Sequence, residues 1–260
     1  MLRHIENSDL EVIYLSSKER LNCSGTSKGN QLKWYSNGKF VKLNTWKWYE
    51  DISEVLVSYF LKFTNIDYFV KYYPCKIYED NSFLGLGCYS YNFLNEDEQD
   101  ITFYRLAKSA GYDISTWSFD DTRDIISDII GFDIKGYLSK CLCLDAITYN
   151  EDRHFNNLSV IRTKNGYRES PIYDNGLSCL SDIFSYPLDE DINSLVKKVY
   201  AKPFNTSFKS QITSNMLTPI CLDVDSFLDS VEPVTFEEIR ALEVIKLGIK
   251  NMEGLAWERY

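Results

Sequence analysis

The stretch Asp145-Ala-Ile-Thr-Tyr-Asn-Glu-Asp152-Arg-His-Phe-Asn-Asn157-Leu-Ser-Val-Ile161, continued through Lys164-Asn165-Gly166 to Pro171-Ile-Tyr-Asp174-Asn-Gly176, decides how this chain is read. Asp152 and Asn157 are five residues apart, with His154 between them. An apolar run (Leu158, Val160, Ile161) follows, then the hairpin signal Lys164-Asn165-Gly166. Asp174-Asn175-Gly176 makes a turn after the second run. Asp and Asn populate turns for purely local reasons. This ordered set of three does more than turn the chain. Phosphoryl transfer needs one carboxylate to orient or deprotonate the attacking hydroxyl, and an amide and a second carboxylate to hold Mg²⁺ against phosphate oxygens. A loop, a short hairpin and a turn can bring Asp152, Asn157 and Asp174 to one spot.

Immediately upstream, Ile134, Tyr137, Leu138 and Cys141 share one helical stripe, and Leu142 and Leu144 make the other faces apolar too. That pattern predicts a buried central helix delivering the chain to Asp152. Asp145 falls on the same stripe, where a carboxylate must be hydrogen-bonded, so it reads as a support for the loop. Asp120-Asp121-Thr122 predicts the cap of a helix reaching Ile130 and ended by Gly131. Glu96–Asp100 reads as an exposed acidic turn.

Further upstream, Gln31–Ser36, the Asn37-Gly38 turn and Lys39–Asn44 predict a hairpin with a type I′ turn. Ile13–Leu15 is an edge-strand candidate. A helix is expected over 49–63, with Ile52, Val55, Leu56, Tyr59, Phe60 and Phe63 on its apolar stripe and Glu54 off it. Strands are expected over 70–78 and 83–93 around a turn at Glu79–Ser82. Downstream, a helix is expected around Asp191–Tyr200, a loop over Lys202–Ser207, and a last helix opened by the capping box Thr235/Glu238, with Phe236, Ile239, Leu242, Ile245 and Ile249 on one stripe.

Asp152-Arg-His-x-x-Asn157 followed by a strand and Tyr173-Asp174 resembles the HipA-like kinases, and the same pattern occurs in phosphatidylinositol 3- and 4-kinases. The resemblance runs from about Ser24 to Gln211 and is strongest over 137–176. It implies an α+β, two-lobed protein-kinase-like fold, with a small antiparallel β-rich N-lobe (1–90) and a mostly helical C-lobe (91–260). It implies ATP and Mg²⁺ as cofactors and Ser/Thr of a protein as acceptor. Asp152 would be the base or orienter, Asn157 and Asp174 the metal ligands, and His154 a brace hydrogen-bonded to loop backbone. A Gly/Ser loop before a hairpin can offer N–H groups to phosphates. In the family it does so, which places Gly25, Thr26, Ser27 and Lys28 at the nucleotide. The family's strand lysine matches Lys42, and its helix acid matches Glu54. The hinge is expected near Cys88–Tyr91, with Cys88 and Tyr89 at the adenine. The family also phosphorylates a serine of its Gly/Ser loop, which points to Ser24 or Ser27 as an autophosphorylation site. HipA-like toxins often carry an extra N-terminal subdomain, and little chain precedes Ser24. The compact, stand-alone members are therefore the better match, and no antitoxin-type partner is indicated.

Composition narrows the alternatives. The 260 residues are 44% hydrophobic and 25% charged, ordinary globular proportions, with 19 Tyr supplying much of the packing. A net charge of −10 argues against a nucleic-acid surface and against docking on anionic membranes. It weighs against a phosphoinositide kinase and fits a cytoplasmic protein with reduced thiols. The intact acid set weighs against a nucleotide-binding pseudokinase scaffold. With His4 and His154 as the only histidines, a zinc site is not expected.

Overall fold

The first half of the chain is shaped by left-handed turns between alternating strands. The computed structural model describes residues 10–21, 31–44 and 49–260. Strand β1 (Glu11–Leu15) is followed by β2 (Lys33–Ser36), β3 (Lys39–Leu43), helix α1 (Glu50–Phe60), β4 (Tyr72–Glu79) and β5 (Ser82–Tyr91). Asn37 and Gly38 have φ of 50° and 74°, the two positive values a type I′ turn requires. That turn fixes the register, so Ser36 faces Lys39 and Lys33 faces Lys42. A second tight turn at Asp80 and Asn81, φ 46° and 68°, joins β4 to β5.

The five strands form one sheet in the order β1-β4-β5-β3-β2. β1 is the expected edge strand and runs parallel to β4; the other pairings are antiparallel. Trp34, Val41, Cys75 and Ile77 are fully buried on one face. β5 passes so close to β3 that a Cβ on Gly87 would stand 2.1 Å from the Lys42 carbonyl oxygen, so only glycine fits there.

The second half continues with β6 (Gln99–Thr102), α2 (Phe103–Ser109), α3 (Phe119–Ile130), α4 (Lys135–Thr148), β7 (Ser159–Thr163) and β8 (Gly166–Glu169). Then come α5 (Ile192–Leu195), α6 (Phe208–Ser214), β9 (Ile220–Leu222), α7 (Val224–Ser230), α8 (Phe236–Met252) and β10 (Trp257–Arg259). α4 is the buried central helix the sequence predicts: from Tyr137 to Thr148 every residue but Lys140 is buried. It crosses α8 at Gly248, whose Cβ, if present, would lie 1.8 Å from the Ile147 carbonyl oxygen. α1 packs against β4 and β5 and also against α8, and Phe60 meets Phe227 of α7 edge-to-face at 5.0 Å. Its core-facing residues therefore belong to the large hydrophobic core of the helical half.

Three expectations are corrected. Ser118, not Asp120–Thr122, caps α3, with Asp121 completing a capping box. α8 opens at Thr235/Glu238 as expected, but Phe236 and Ile239 are exposed and the core face is Leu242, Val244, Ile245 and Ile249. Glu96–Asp100 is not a solvated turn throughout. Gln99 begins β6, which pairs with β7; Glu98 takes a two-pronged ion pair from Arg168; and Asp100 accepts from the Tyr173 hydroxyl at 2.9 Å.

Cys75, Cys88, Cys141, Cys143 and Cys179 are buried free thiols. Among the described residues, no helix is long and apolar enough to cross a membrane.

Candidate active site

α4 ends at Tyr149, whose left-handed backbone (φ 52°) turns the chain into the loop 150–157. Arg153 organises that loop from inside. Its guanidinium is fully buried. Nε and Nη2 donate to the Asp145 carboxylate, each at 2.9 Å. Nη1 donates to the carbonyls of Asn157 (3.2 Å) and Tyr173 (3.0 Å), and Nη2 also donates to Asn175 Oδ1 (2.7 Å). One planar fork thus ties α4, the loop and the Asp174 turn together. Burial raises the Asp145 carboxyl above its ordinary value, while Arg153 and Asn150 pull it back. Asp145 is a support for the loop through Arg153 and Asn150.

Asp152 and Asn157 meet within this loop: Asn157 Nδ2 donates to the Asp152 carbonyl at 2.8 Å. Asp152 Oδ1 lies 3.3 Å from Lys202 Nζ. His154 departs from expectation. Its Nε2 faces Asp152 Oδ2 at 3.8 Å, and its buried Nδ1 finds no hydrogen-bond partner among the described residues. The loop brace is the His154 backbone N–H, which donates to the Asp152 carbonyl at 2.9 Å.

Lys42, Glu54 and Asp174 form a second, directly bonded group. Lys42 Nζ pairs with Glu54 Oε1 and, at 2.7 Å, with Asp174 Oδ1. Glu54 is fully buried, and its Oε2 accepts the Asn175 N–H at 2.9 Å. Glu54 stands off the apolar stripe because that side of α1 faces Lys42 and the Asp174 turn, not water. Burial raises Glu54, with Lys42 opposing. Burial also disfavours charge on Lys42, but Asp174 and Glu54 outweigh it and hold Lys42 protonated. Burial works against the Asp174 carboxylate as well, yet Lys42 and then Lys33 hold it well below the usual carboxylate range. Asp174 has φ 58°, a left-handed conformation that an Asp tolerates. Its N–H donates toward the Tyr72 hydroxyl at 3.4 Å.

A cavity of about 240 Å³ opens beside this group. Lys33, Lys42 and Asp174 form its polar end; Phe40, Tyr72, Phe93 and Tyr173 are among its aromatic walls. Phe93 and Tyr173 stack at 5.7 Å. The end of β5 lines it through Ser90, and the chain after β5 through Asn92, Phe93 and Leu94. Cys88 and Tyr89 are not among its lining residues: Cys88 is buried opposite Lys42 in the sheet, and the Tyr89 hydroxyl bonds Glu11. Of the expected hinge stretch Cys88–Tyr91, Ser90 lines the cavity, and the lining continues through Asn92, Phe93 and Leu94. Asp152 and Asn157 do not line the cavity either; Arg153 connects them to the Asp174 turn. Gly25, Thr26, Ser27 and Lys28, with Ser24, lie outside the described residues.

Sequence reasoning missed Lys33, Arg153 and Lys202. Lys33 had a signal, since a two-residue turn at Asn37-Gly38 forces it opposite Lys42. Arg153 had one too, because a carboxylate at Asp145 inside an apolar helix needs a cation. Lys202, fifty residues from Asp152, had none.

The donor set suits a hard cation. Asn157 spends its amide N–H on the Asp152 carbonyl, which leaves its amide oxygen, and Asp174 offers an ionised carboxylate. Amide and carboxylate oxygens are the donors a hard cation such as Mg²⁺ takes. Among the described residues, no group of three or more His, Cys, Asp or Glu could hold a metal ion by itself.

No protein-family model matches the chain, and no curated protein matches it by sequence. Solved structures do match. The proinflammatory kinase CtkA of Helicobacter pylori superposes with a TM-score of 0.62 at 14% identity, covering 92% of this chain and 95% of its own. HipA of Shewanella oneidensis MR-1, in a toxin–antitoxin complex with HipB and operator DNA, aligns at 11% identity and a TM-score of 0.48, covering 90% of this chain and 65% of its own. The protein has the fold of a two-lobed kinase, and nearly its whole length takes part in that likeness.

Proposed function

We propose that this chain is an ATP- and Mg²⁺-dependent kinase of the HipA-like type that phosphorylates Ser or Thr of a protein. One observation carries the reading: Lys42, joined to Glu54, reaches Asp174 at the polar end of an aromatic-walled cavity. A lysine fixed by a helix acid beside a metal-binding aspartate is the arrangement that phosphoryl transfer asks for. The kinase fold and the Asp152-Arg-His-x-x-Asn157 loop support it.

In this reading the aromatic walls take the adenine, and the backbone after β5 supplies its hydrogen bonds. Lys42 and Lys33 neutralise phosphate oxygens. Asn157 and Asp174 would hold Mg²⁺, which when bound adds electrostatic stabilisation of phosphate charge. Asp152 takes the proton of the acceptor hydroxyl as its oxygen bonds to the γ-phosphorus. The bond from phosphorus to the bridging oxygen breaks, and ADP leaves with that electron pair. The N-lobe at 1–90, the C-lobe at 91–260, nucleotide contacts by Gly25–Lys28 and autophosphorylation at Ser24 or Ser27 belong to this proposal and rest on the family resemblance.

Incubation with labelled ATP and Mg²⁺ tests it, with the protein itself, a generic basic protein and phosphoinositide vesicles as acceptors. Label on Ser or Thr of protein is the expected result. Label on lipid alone would make it a phosphoinositide kinase. Nucleotide binding with no transfer would make it a scaffold.

A further inference from the structure

Lys202 stands opposite the candidate base. Its Nζ lies 3.3 Å from Asp152 Oδ1, and its side chain is 40% exposed. An isolated surface pair at this distance would carry little weight. This one is built differently, because the loop that holds Lys202 is fastened on both sides. Gln211, almost fully buried, uses both ends of its amide on that loop: Nε2 donates to the Lys202 carbonyl at 3.1 Å, and Oε1 accepts the Phe204 N–H at 3.1 Å. The Ala201 N–H donates to the Thr206 carbonyl at 3.0 Å. Phe204 then meets Phe155 of the Asp152 loop edge-to-face at 5.7 Å, and Phe119 of α3 at 5.4 Å. A buried amide and an aromatic contact therefore set the distance between the two loops. The residues 192–222 carry four lysines and no acid, so Lys202 has no carboxylate on its own segment to turn to.

We infer that Lys202 is a positioning residue for the transfer step, holding the Asp152 carboxylate toward the acceptor hydroxyl. This rests on the reading of the site as a kinase centre. The two oxygens of Asp152 face different neighbours: Oδ1 faces the Lys202 ammonium, and Oδ2 faces His154 Nε2 at 3.8 Å. With Oδ1 fixed, the carboxylate's rotation is set. The Lys202 ammonium is partly exposed beside Asp152, whereas Lys42 and Lys33 line the cavity with Asp174.

The experiment compares wild type with Lys202→Met, Lys202→Arg and Asp152→Ala as intact chains, measuring transfer to a basic acceptor protein and binding of a fluorescent ATP analogue. Lys202→Met should lower kcat about tenfold or more while the KM for ATP stays within about twofold, the pattern of an interaction used in the transition state and not in nucleotide binding. Lys202→Arg keeps the charge and should recover most of kcat. Nucleotide binding by each variant reports that the fold is intact. If Asp152→Ala transfers phosphate as wild type does, the kinase reading itself fails. If Asp152→Ala is inactive while Lys202→Met keeps wild-type kcat, or exceeds it because the lysine had merely blocked Asp152, the role assigned to Lys202 is overturned. Equal losses in Lys202→Met and Lys202→Arg with a raised KM for ATP would overturn it as well.

Discussion

Replacing Asp152 by alanine removes the carboxylate that faces Lys202 but none of the groups lining the cavity beside Lys42 and Asp174. Transfer should be abolished and ATP binding largely kept. Activity within about tenfold of wild type, or ~1.4 kcal/mol of barrier, would sink that assignment. Asp174→Ala acts on the other side, taking a charged oxygen donor and a partner of Lys42 at once. It should weaken Mg²⁺-dependent nucleotide binding, measured by calorimetry with and without the metal, and Asn157→Ala should do so less. Equal affinity with and without Mg²⁺ in wild type would remove the claim. Asp152 and Asp174 were legible because each sits in a short motif whose order matters, whereas Glu54 was legible only through the family resemblance. Arg153 was legible only as a need of Asp145, and Lys202 not at all, because its contact with Asp152 is made by two loops packing together and leaves no spacing in the chain.

Helix α1 carries two acids in its first turn, Glu50 and Asp51. Burial raises Asp51 from an ordinary value of 3.8 to about 7, and its Oδ1 has no hydrogen-bond partner among the described residues. The folded state therefore holds this proton more tightly than the unfolded chain. Its contribution to stability is fully present below about pH 4 and is lost as pH rises through 7. Asp51→Asn should stabilise the fold at about pH 8 by on the order of 1–4 kcal/mol, read as a raised Tm, and change little at about pH 4. Parallel pH curves for variant and wild type would contradict this. Where α4 crosses α8, Gly248→Ala should destabilise by about 2 kcal/mol or more, read as a fall in Tm, since the added methyl meets the Ile147 backbone and not a side chain that can turn away. The hairpin at Asn37-Gly38, α1 and α4 were legible because turn chemistry and strong periodicity are local. β6 was not: four residues with a single large apolar side chain, Ile101, give no alternation, and its partner β7 lies some sixty residues away. The short β9 and β10 were missed for the same reason. On α8 the expected stripe reaches the core at Leu242, Ile245 and Ile249 but not at Phe236 and Ile239, which precede the point where the helix meets α4.

For the molecule as a whole, binding should be coupled to folding, because the cavity is walled by both the sheet and the Tyr173–Asp174 segment. Saturating Mg·ATP, at about a hundred times its Kd, should add about 2.7 kcal/mol, a Tm rise of several degrees in a thermal scan. The rise should disappear in Asp174→Ala. No shift in wild type would mean that the cavity does not take the nucleotide.

Four bonds fasten α1 to the chain that follows Asp174. The Tyr49 hydroxyl donates to the Cys179 carbonyl at 2.6 Å, the Tyr49 N–H to Ser181 at 3.2 Å, the Ser53 hydroxyl to Ser178 at 3.0 Å, and the Asn175 N–H to Glu54 at 2.9 Å. The two segments are far apart in sequence, yet each supplies groups the other would leave buried and unpaired. In hydrogen–deuterium exchange, the amides of 50–60 and 175–181 should therefore open as one cooperative unit with a shared free energy. Swinging this helix outward would unfasten the Asp174 turn in the same event, so the protein cannot idle with its helix displaced and its acidic turn still in place.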